Sequence, residues 1–304
     1  MDTAISHPLS KNQVTLVGFT FALLAAIGFS AKAIFVKLAY VYPVDAVTLL
    51  ALRMAFSAPV FLGLALWFGL NKMSPRLTRN DWFAVVGLGL LGYYLSSLLD
   101  FLGLQYISAG LERLILFLYP TIVIILSALY FSHKIDKKTI IAILLSYAGI
   151  ALVFLQNITL TQTGIVLGSL LVFASTISYA IYLIGAGQSI ARIGGMRFMA
   201  YAMSVASIAT LIQFAAIHPL SKLQLPLQVY ELGMAMAVFS TILPAFFLAA
   251  SIRKMGSGRT SMIGSIGPVT TIYMAHLFLG ESITALQIAG SGLVLIGVLS
   301  ISRH

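Results

Sequence analysis

Five charged side chains fall inside long apolar stretches of this sequence: Lys32, Arg53, Asp100, Glu112 and Arg113. A charge in hydrocarbon costs at least about 2.5–3.5 kcal/mol on insertion scales, so it is retained where a partner or a wet cavity receives it. Three cations facing two carboxylates leave one positive charge over. Two chemistries suit such a group. One is a set of ion pairs bracing a mouth, with Arg53 and Asp100 as the natural pair. The other is a binding site in which the surplus cation receives a carboxylate while Glu112 or Asp100 receives an amine or a coupled proton. Snorkelling of Lys32 or Arg113 to an interface is a third use of the same side chains.

Hydroxyls and aromatic rings form a second group. Tyr93, Tyr94, Ser97 and Asp100 make one stripe, and Tyr179 with Tyr182 another. Tyrosines near the ends of apolar spans are usually interface anchors, but these four lie well inside theirs, where they can line a cavity. Enzymatic constellations are missing from the sequence: there is no His-Glu-x-x-His, no Gly-x-Ser-x-Gly and no phosphate-binding Gly-x-x-x-x-Gly-Lys-Ser/Thr. His7, His133, His218, His276 and His304 are dispersed, and no cysteine is present. No metal site, cofactor or catalytic residue is expected. Without a nucleotide-binding loop, uphill movement of a solute would have to draw on a gradient.

The elements that position these residues follow from composition. Of 304 residues 60% are hydrophobic and 9% charged, with a mean hydropathy of +1.02, against roughly a quarter charged in soluble domains. Apolar segments lie near 14–37, 44–70, 81–105, 109–131, 138–156, 163–185, 197–217, 229–251, 259–279 and 284–302. Each is about the length that crosses a bilayer as a helix, and none alternates as a barrel strand would. The expected fold is therefore all-α and polytopic, with ten transmembrane helices and the first span retained rather than cleaved. That excludes a cytosolic enzyme, a secreted module and a nucleic-acid binder. Orientation follows from the cations. With the N-terminus inside, Lys11, Lys72, Arg76, Arg79, Lys134, Lys137, Lys138, Arg192, Arg197, Arg253, Lys254, Arg259 and Arg303 are cytoplasmic, and only Lys37 and Lys222 are outside. Both termini are thus expected in the cytoplasm, and all five buried charges in the outer half of the N-terminal spans.

Sliding the chain on itself by 148 residues superimposes Gly110 on Gly258, Pro120 on Pro268, Ile124 on Ile272, Leu145 on Leu293 and Gly149 on Gly297. Two five-helix units are implied, residues 14–156 and 163–302. Five is odd, so the second unit enters the membrane from the opposite side, the arrangement of alternating-access carriers. Where the first unit has Glu112, Arg113 and Phe117, the second has Thr260, Ser261 and Ser265. Those hydroxyls suit either a polar solute or helix-helix contact beside Gly264 and Gly267. Pro120 and Pro268 each remove an intrahelical donor, which marks the fourth and ninth helices as kinked candidates for hinges.

The chain resembles the drug/metabolite transporter superfamily, specifically its ten-helix EamA-type members. The likeness rests on Leu49-Leu50-Ala51-Leu52-Arg53, Ser108-Ala109 with Pro120, Ser257-Gly258 with Pro268, Leu279-Gly280-Glu281-Ser282 and the Gly290 to Gly297 run. The resemblance implies two inverted five-helix repeats and a central cavity lined by the first, third, fourth, sixth, eighth and ninth helices. Many relatives carry Trp where this chain has Phe29 and Tyr179. The expected function is a secondary transporter of a small polar metabolite, foremost an amino acid in the export direction, in the cell inner membrane. The resemblance leaves open a non-transporting scaffold or sensor subunit, and an intramembrane enzyme. Expected partners are a small-molecule substrate and the lipid bilayer, with no nucleic acid, in a monomer or weak homodimer.

Overall fold

The computed structural model describes residues 11–70, 76–131, 137–159 and 164–302. Among these there is no strand, as expected for a chain whose backbone groups must be satisfied within each segment. Ten helical arms follow one another: α1 (Lys11–Ala39), α2 (Ala46–Leu70), α3 (Arg79–Gly103), α4 (Ala109–Leu116 and Tyr119–Phe131), α5 (Lys137–Thr159), α6 (Ile165–Ile193), α7 (Gly195–Ile217), α8 (Leu227–Met255), α9 (Ser257–Gly264 and Gly267–Leu279) and α10 (Ala285–Ser302). Arms α1–α4 and α6–α8 each carry a stretch long and apolar enough to cross a membrane, while α5 and α10 contain shorter apolar stretches. The molecule is a polytopic membrane protein built from two inverted five-helix repeats. One end of the bundle, the hairpin end, carries the α1–α2, α3–α4 and α9–α10 connections; the other, the terminal end, carries the α6–α7 and α8–α9 connections.

Arms α6 and α8 run well past the apolar spans read from the sequence, so their connections shrink. One residue, Gly194, separates α6 from α7, and one residue, Gly256, separates α8 from α9. Both turn at positive φ, 88° and 84°, where a side chain would clash with its own backbone. At the hairpin end, by contrast, α2 is started by Asp45. Its carboxylate accepts the Val47 and Thr48 N–H groups at 3.0 Å each and the Thr48 hydroxyl at 2.7 Å. Burial raises the Asp45 carboxyl, but the Thr48 bonds and the nearby His218 bring it below the ordinary carboxylate range.

The repeat is visible in backbone irregularities that no single residue type announces. A π turn interrupts α3 at Leu90–Leu95 and another interrupts α8 at Val238–Ile242, 148 residues further on. Helix α4 stops at Leu116 and restarts at Tyr119; α9 stops at Gly264 and restarts at Gly267, the same offset. The prolines are therefore not the kink points expected from the sequence. Pro120 and Pro268 stand in the first turn of the second segment, where a helix has no partner for the N–H that proline lacks. Each break falls on the two residues before, Phe117–Leu118 and Ser265–Ile266.

Packing follows the same symmetry. Arm α1 lies against α8 and α9, and α6 lies against α3 and α4; α2 pairs with α7, α4 with α9 and α5 with α10. Exchanging each arm for the one five later leaves this pattern unchanged. Small residues permit the closest approaches: Gly149 of α5 and Gly290 of α10 meet backbone to backbone, as do Gly103 of α3 and Gly168 of α6. The largest apolar cluster joins α1, α2, α3, α7 and α8 through Leu49, Leu50, Met54, Phe61, Phe101, Met203 and Met236.

Candidate functional site

Lys32 of α1, Asp100 of α3 and Glu112 of α4 converge in the half of the bundle nearer the hairpin end. The Lys32 ammonium lies 2.6 Å from Asp100 Oδ2 and 3.1 Å from Glu112 Oε1, with 17% of its side chain accessible. Asp100 is 2% accessible and Glu112 fully buried. Arg53 does not complete this group as an ion pair. Its Nε donates to Thr241 Oγ1 at 3.1 Å and its guanidinium stacks on Phe101, 5.5 Å from the ring centre. The pairing read from the sequence, Arg53 with Asp100, is therefore replaced by Lys32 with Asp100. Thr241, the acceptor that takes Arg53, lies inside the π turn of α8.

Arg113 turns away from the two carboxylates. A methyl group on Gly267 would meet its Nη2 at 2.6 Å, so the guanidinium lies flat on the restart of α9. Ser30 of α1 donates to the Gly267 carbonyl from another side at 3.1 Å. The break in α9 is thus the point where α1, α4 and α9 meet. Several polar atoms here are buried without a hydrogen-bond partner: Arg53 Nη1, Arg113 Nε, Asp100 Oδ1 and Glu112 Oε2, while Glu112 Oε1 has the Lys32 ammonium at 3.1 Å. Buried donors and acceptors are normally satisfied. Open donors and acceptors of opposite charge in one region have the chemistry to pair with a molecule carrying both signs.

The hydroxyl and aromatic residues lie on the other side of α4. Tyr93 and Tyr182 are edge to face at 5.1 Å, with their hydroxyls 2.9 Å apart. Tyr179 stacks obliquely on Tyr182 at 5.5 Å and meets Tyr119 edge-on at 5.6 Å. Phe117 continues the run from the break in α4. Arg113 is within electrostatic reach of Tyr119 and Tyr179, so the run leads from the charged cluster to the π turn of α3. Gly92 makes room for the Tyr182 ring. Tyr94 and Ser97 are half-buried, but the stripe is not one face: the π turn between Tyr93 and Asp100 adds a residue and rotates the rest of α3 by about 100°. Consequently Ser96, not Ser97, bonds across to α6, with Ser175 Oγ at 3.0 Å.

In the second repeat, Thr260 hydrogen-bonds Ser251 at 2.9 Å and is nearly inaccessible. Ser265 lies in the break itself and is half-buried. The side chain of Ser261 lies outside the described residues. Three fastenings at the hairpin end were not assigned a role from the sequence. The Glu281 carboxylate, on the α9–α10 connection, accepts the Ala109 and Gly110 N–H groups at 2.9 and 3.3 Å, while Ser108 Oγ takes that of Leu111 at 3.2 Å. Together they satisfy the N-terminus of α4, which otherwise leaves its first donors orphaned. Lys37 donates to the carbonyls of Leu104 and Ile107 at 3.2 and 3.1 Å, closing the end of α3. At the terminal end Asp81 caps α3 with Thr78 and pairs with Arg192 of α6. Glu281 stands in a recognisable segment, yet nothing local to that segment points to α4.

The model of the EamA-like transporter family matches the chain twice, over residues 16–155 and 166–303. The chain belongs to the EamA-like transporter family. It is 29% identical to the uncharacterized transporter YcbK of Bacillus subtilis, covering 93% of this chain and 92% of that protein. It is 26% identical to an S-adenosylmethionine/S-adenosylhomocysteine transporter of Chlamydia trachomatis, over 81% and 77% of the two chains. A crystal structure superposes at a TM-score of 0.59 with 20% identity, covering 96% of this chain and 98% of the other, which establishes likeness of fold. The EamA-like chain is thus a membrane transporter whose two matched segments contain the two sets of π turns and breaks.

Proposed function

We propose that this EamA-like chain is a secondary transporter that moves a small zwitterionic metabolite, an amino acid or a molecule ending in an amino-acid group, by alternating access. The observation that carries the reading is the group of buried charged atoms left without a hydrogen-bond partner. Arg113 offers Nε to a carboxylate, and Glu112 and Asp100 offer oxygens to an ammonium. The Tyr119–Tyr179–Tyr182–Tyr93 run beside them suits a side chain that is aliphatic or aromatic with a polar end. S-Adenosylmethionine and S-adenosylhomocysteine, named for one relative, both end in an α-amino-acid group, which agrees with a site for that headgroup. The inverted repeat supplies two near-equivalent states, and the paired breaks in α4 and α9 supply the points at which they interconvert.

The cation distribution supports an inner-membrane protein with both termini in the cytoplasm, which puts the charged cluster toward the outside. Export is the direction suggested by the superfamily resemblance. Counterflow in proteoliposomes tests the substrate reading: vesicles loaded with an unlabelled amino acid should accumulate the labelled one, and those loaded with sugars or nucleobases should not. Counterflow of sugars or nucleobases without amino acids would overturn it. A reporter fused after His304 tests the topology and should read as cytoplasmic.

A further inference from the structure

Two buried carboxylates share one ammonium in this molecule. Asp100 and Glu112 are both essentially inaccessible, and Lys32 is the cation that touches both. Both approach that one ammonium closely, at 2.6 and 3.1 Å. Two ionised carboxylates can only accept, so their shared approach is repulsive unless one of them holds a proton. The groups facing Glu112 from its surroundings do not remove this charge. From α1 comes Lys32, already 2.6 Å from Asp100, and from α3 comes Asp100 itself. Arg113, next in the chain, is within electrostatic reach of Glu112 but lies on Gly267 and makes no ion pair with either carboxylate. From the α9–α10 connection Glu281 adds a further negative charge, which the N-terminus of α4 takes up. Arg53 of α2, held on Thr241, is within electrostatic reach of Asp100 but makes no ion pair with Glu112.

We infer that the Lys32–Asp100–Glu112 cluster is a proton-exchange site, in which the closed molecule holds one proton on Glu112 and surrenders it when a substrate ammonium arrives. Lys32 stays with Asp100, its shorter partner. The Glu112 O–H bond breaks, the proton leaves to water, and the carboxylate receives the ammonium in its place, while the substrate carboxylate goes to Arg113; the ammonium thus restores at Glu112 the positive charge that the proton takes away. Substrate and proton then compete for one carboxylate, which makes transport an exchange of one proton for one substrate. The competition rests on the zwitterion reading above; the resting proton rests on the cluster alone.

Infrared spectroscopy of the full chain in nanodiscs tests the proton without any substrate. At neutral pH the wild type should show the carbonyl stretch of a buried protonated carboxyl, and Glu112→Gln should lack it. Asp100→Asn should lack it too, because one carboxylate and one ammonium need no proton. Lys32→Met should enlarge it and carry it to higher pH. Absence of the band from wild type, or its survival in Glu112→Gln, would overturn the proposal. In proteoliposomes loaded with labelled amino acid, acidifying the outside should accelerate efflux several-fold, and indifference to the gradient would overturn the exchange. If no amino acid shows counterflow, the substrate reading falls while the infrared result still decides the proton.

Discussion

The two halves of the molecule share a backbone and differ in chemistry. π turns recur at Leu90–Leu95 and Val238–Ile242, and breaks recur after Leu116 and Gly264. Yet the first repeat places Glu112 and Arg113 on α4, where the second places Thr260 on α9 in a hydroxyl pair with Ser251. The backbone therefore breaks alike in both halves, and only the first half sets charged side chains beside its break. The asymmetry extends to the fastenings: the N-terminus of α4 is capped by Glu281 from the other repeat, whereas α9 begins after a glycine turn. On the proposed function, a symmetric scaffold carrying an asymmetric site would have two interchangeable shapes and one place for the solute.

The comparison is most exposed at the position where the two repeats differ in charge. Lys32→Met leaves Asp100 and Glu112 facing each other without a cation, a loss of about 3–5 kcal/mol for a buried pair broken on one side. Thr260→Val removes one neutral hydrogen bond, worth about 1 kcal/mol. Thermal unfolding in detergent should show the first as a large drop and the second as a small one; equal drops would mean the repeats are fastened alike. Next in size, Asp100→Asn and Glu112→Gln should lower transport by at least about tenfold, ~1.4 kcal/mol, while leaving most of the folded protein in place. Parallel loss of activity and folded protein would make the cluster a brace.

Much of this architecture is legible in the amino-acid sequence. The ten arms come from hydropathy, and the 148-residue offset comes from Gly110, Pro120 and Gly149 with their counterparts. Lys32, Asp100 and Glu112 stand out because charge in hydrocarbon is expensive. Their partners are not legible, because π turns carry no sequence signature and each shifts the register of the helix beyond it. Arg53 meets Thr241, inside the π turn of α8, rather than Asp100. The prolines mislead for a related reason: they mark the restart of α4 and α9, just beyond the true discontinuity.

Smaller effects sharpen the same contrast. Glu281→Ala uncaps α4 and should cost about 1 kcal/mol, with increased labelling of single cysteines placed at the hairpin end; unchanged labelling would reduce the cap to local stability. Pro120→Ala and Pro268→Ala should have the least effect on stability, below about 1 kcal/mol, since neither proline interrupts a ladder. Their signature is directional: the two should bias accessibility toward opposite ends of the bundle and slow flux with little change in substrate affinity. Identical labelling in both variants would leave the hinges to Phe117–Leu118 and Ser265–Ile266 alone.

The receptor for both signs of charge is tested most directly by comparing an amino acid with its decarboxylated amine in counterflow, in wild type and in Arg113→Gln. If Arg113 receives the carboxylate and Asp100 with Glu112 the ammonium, wild type should exchange the amino acid and discriminate against the amine by about tenfold or more. Arg113→Gln should lose that discrimination by losing the amino acid. Exchange of both compounds at equal rates in wild type, or unchanged discrimination in Arg113→Gln, would contradict the site.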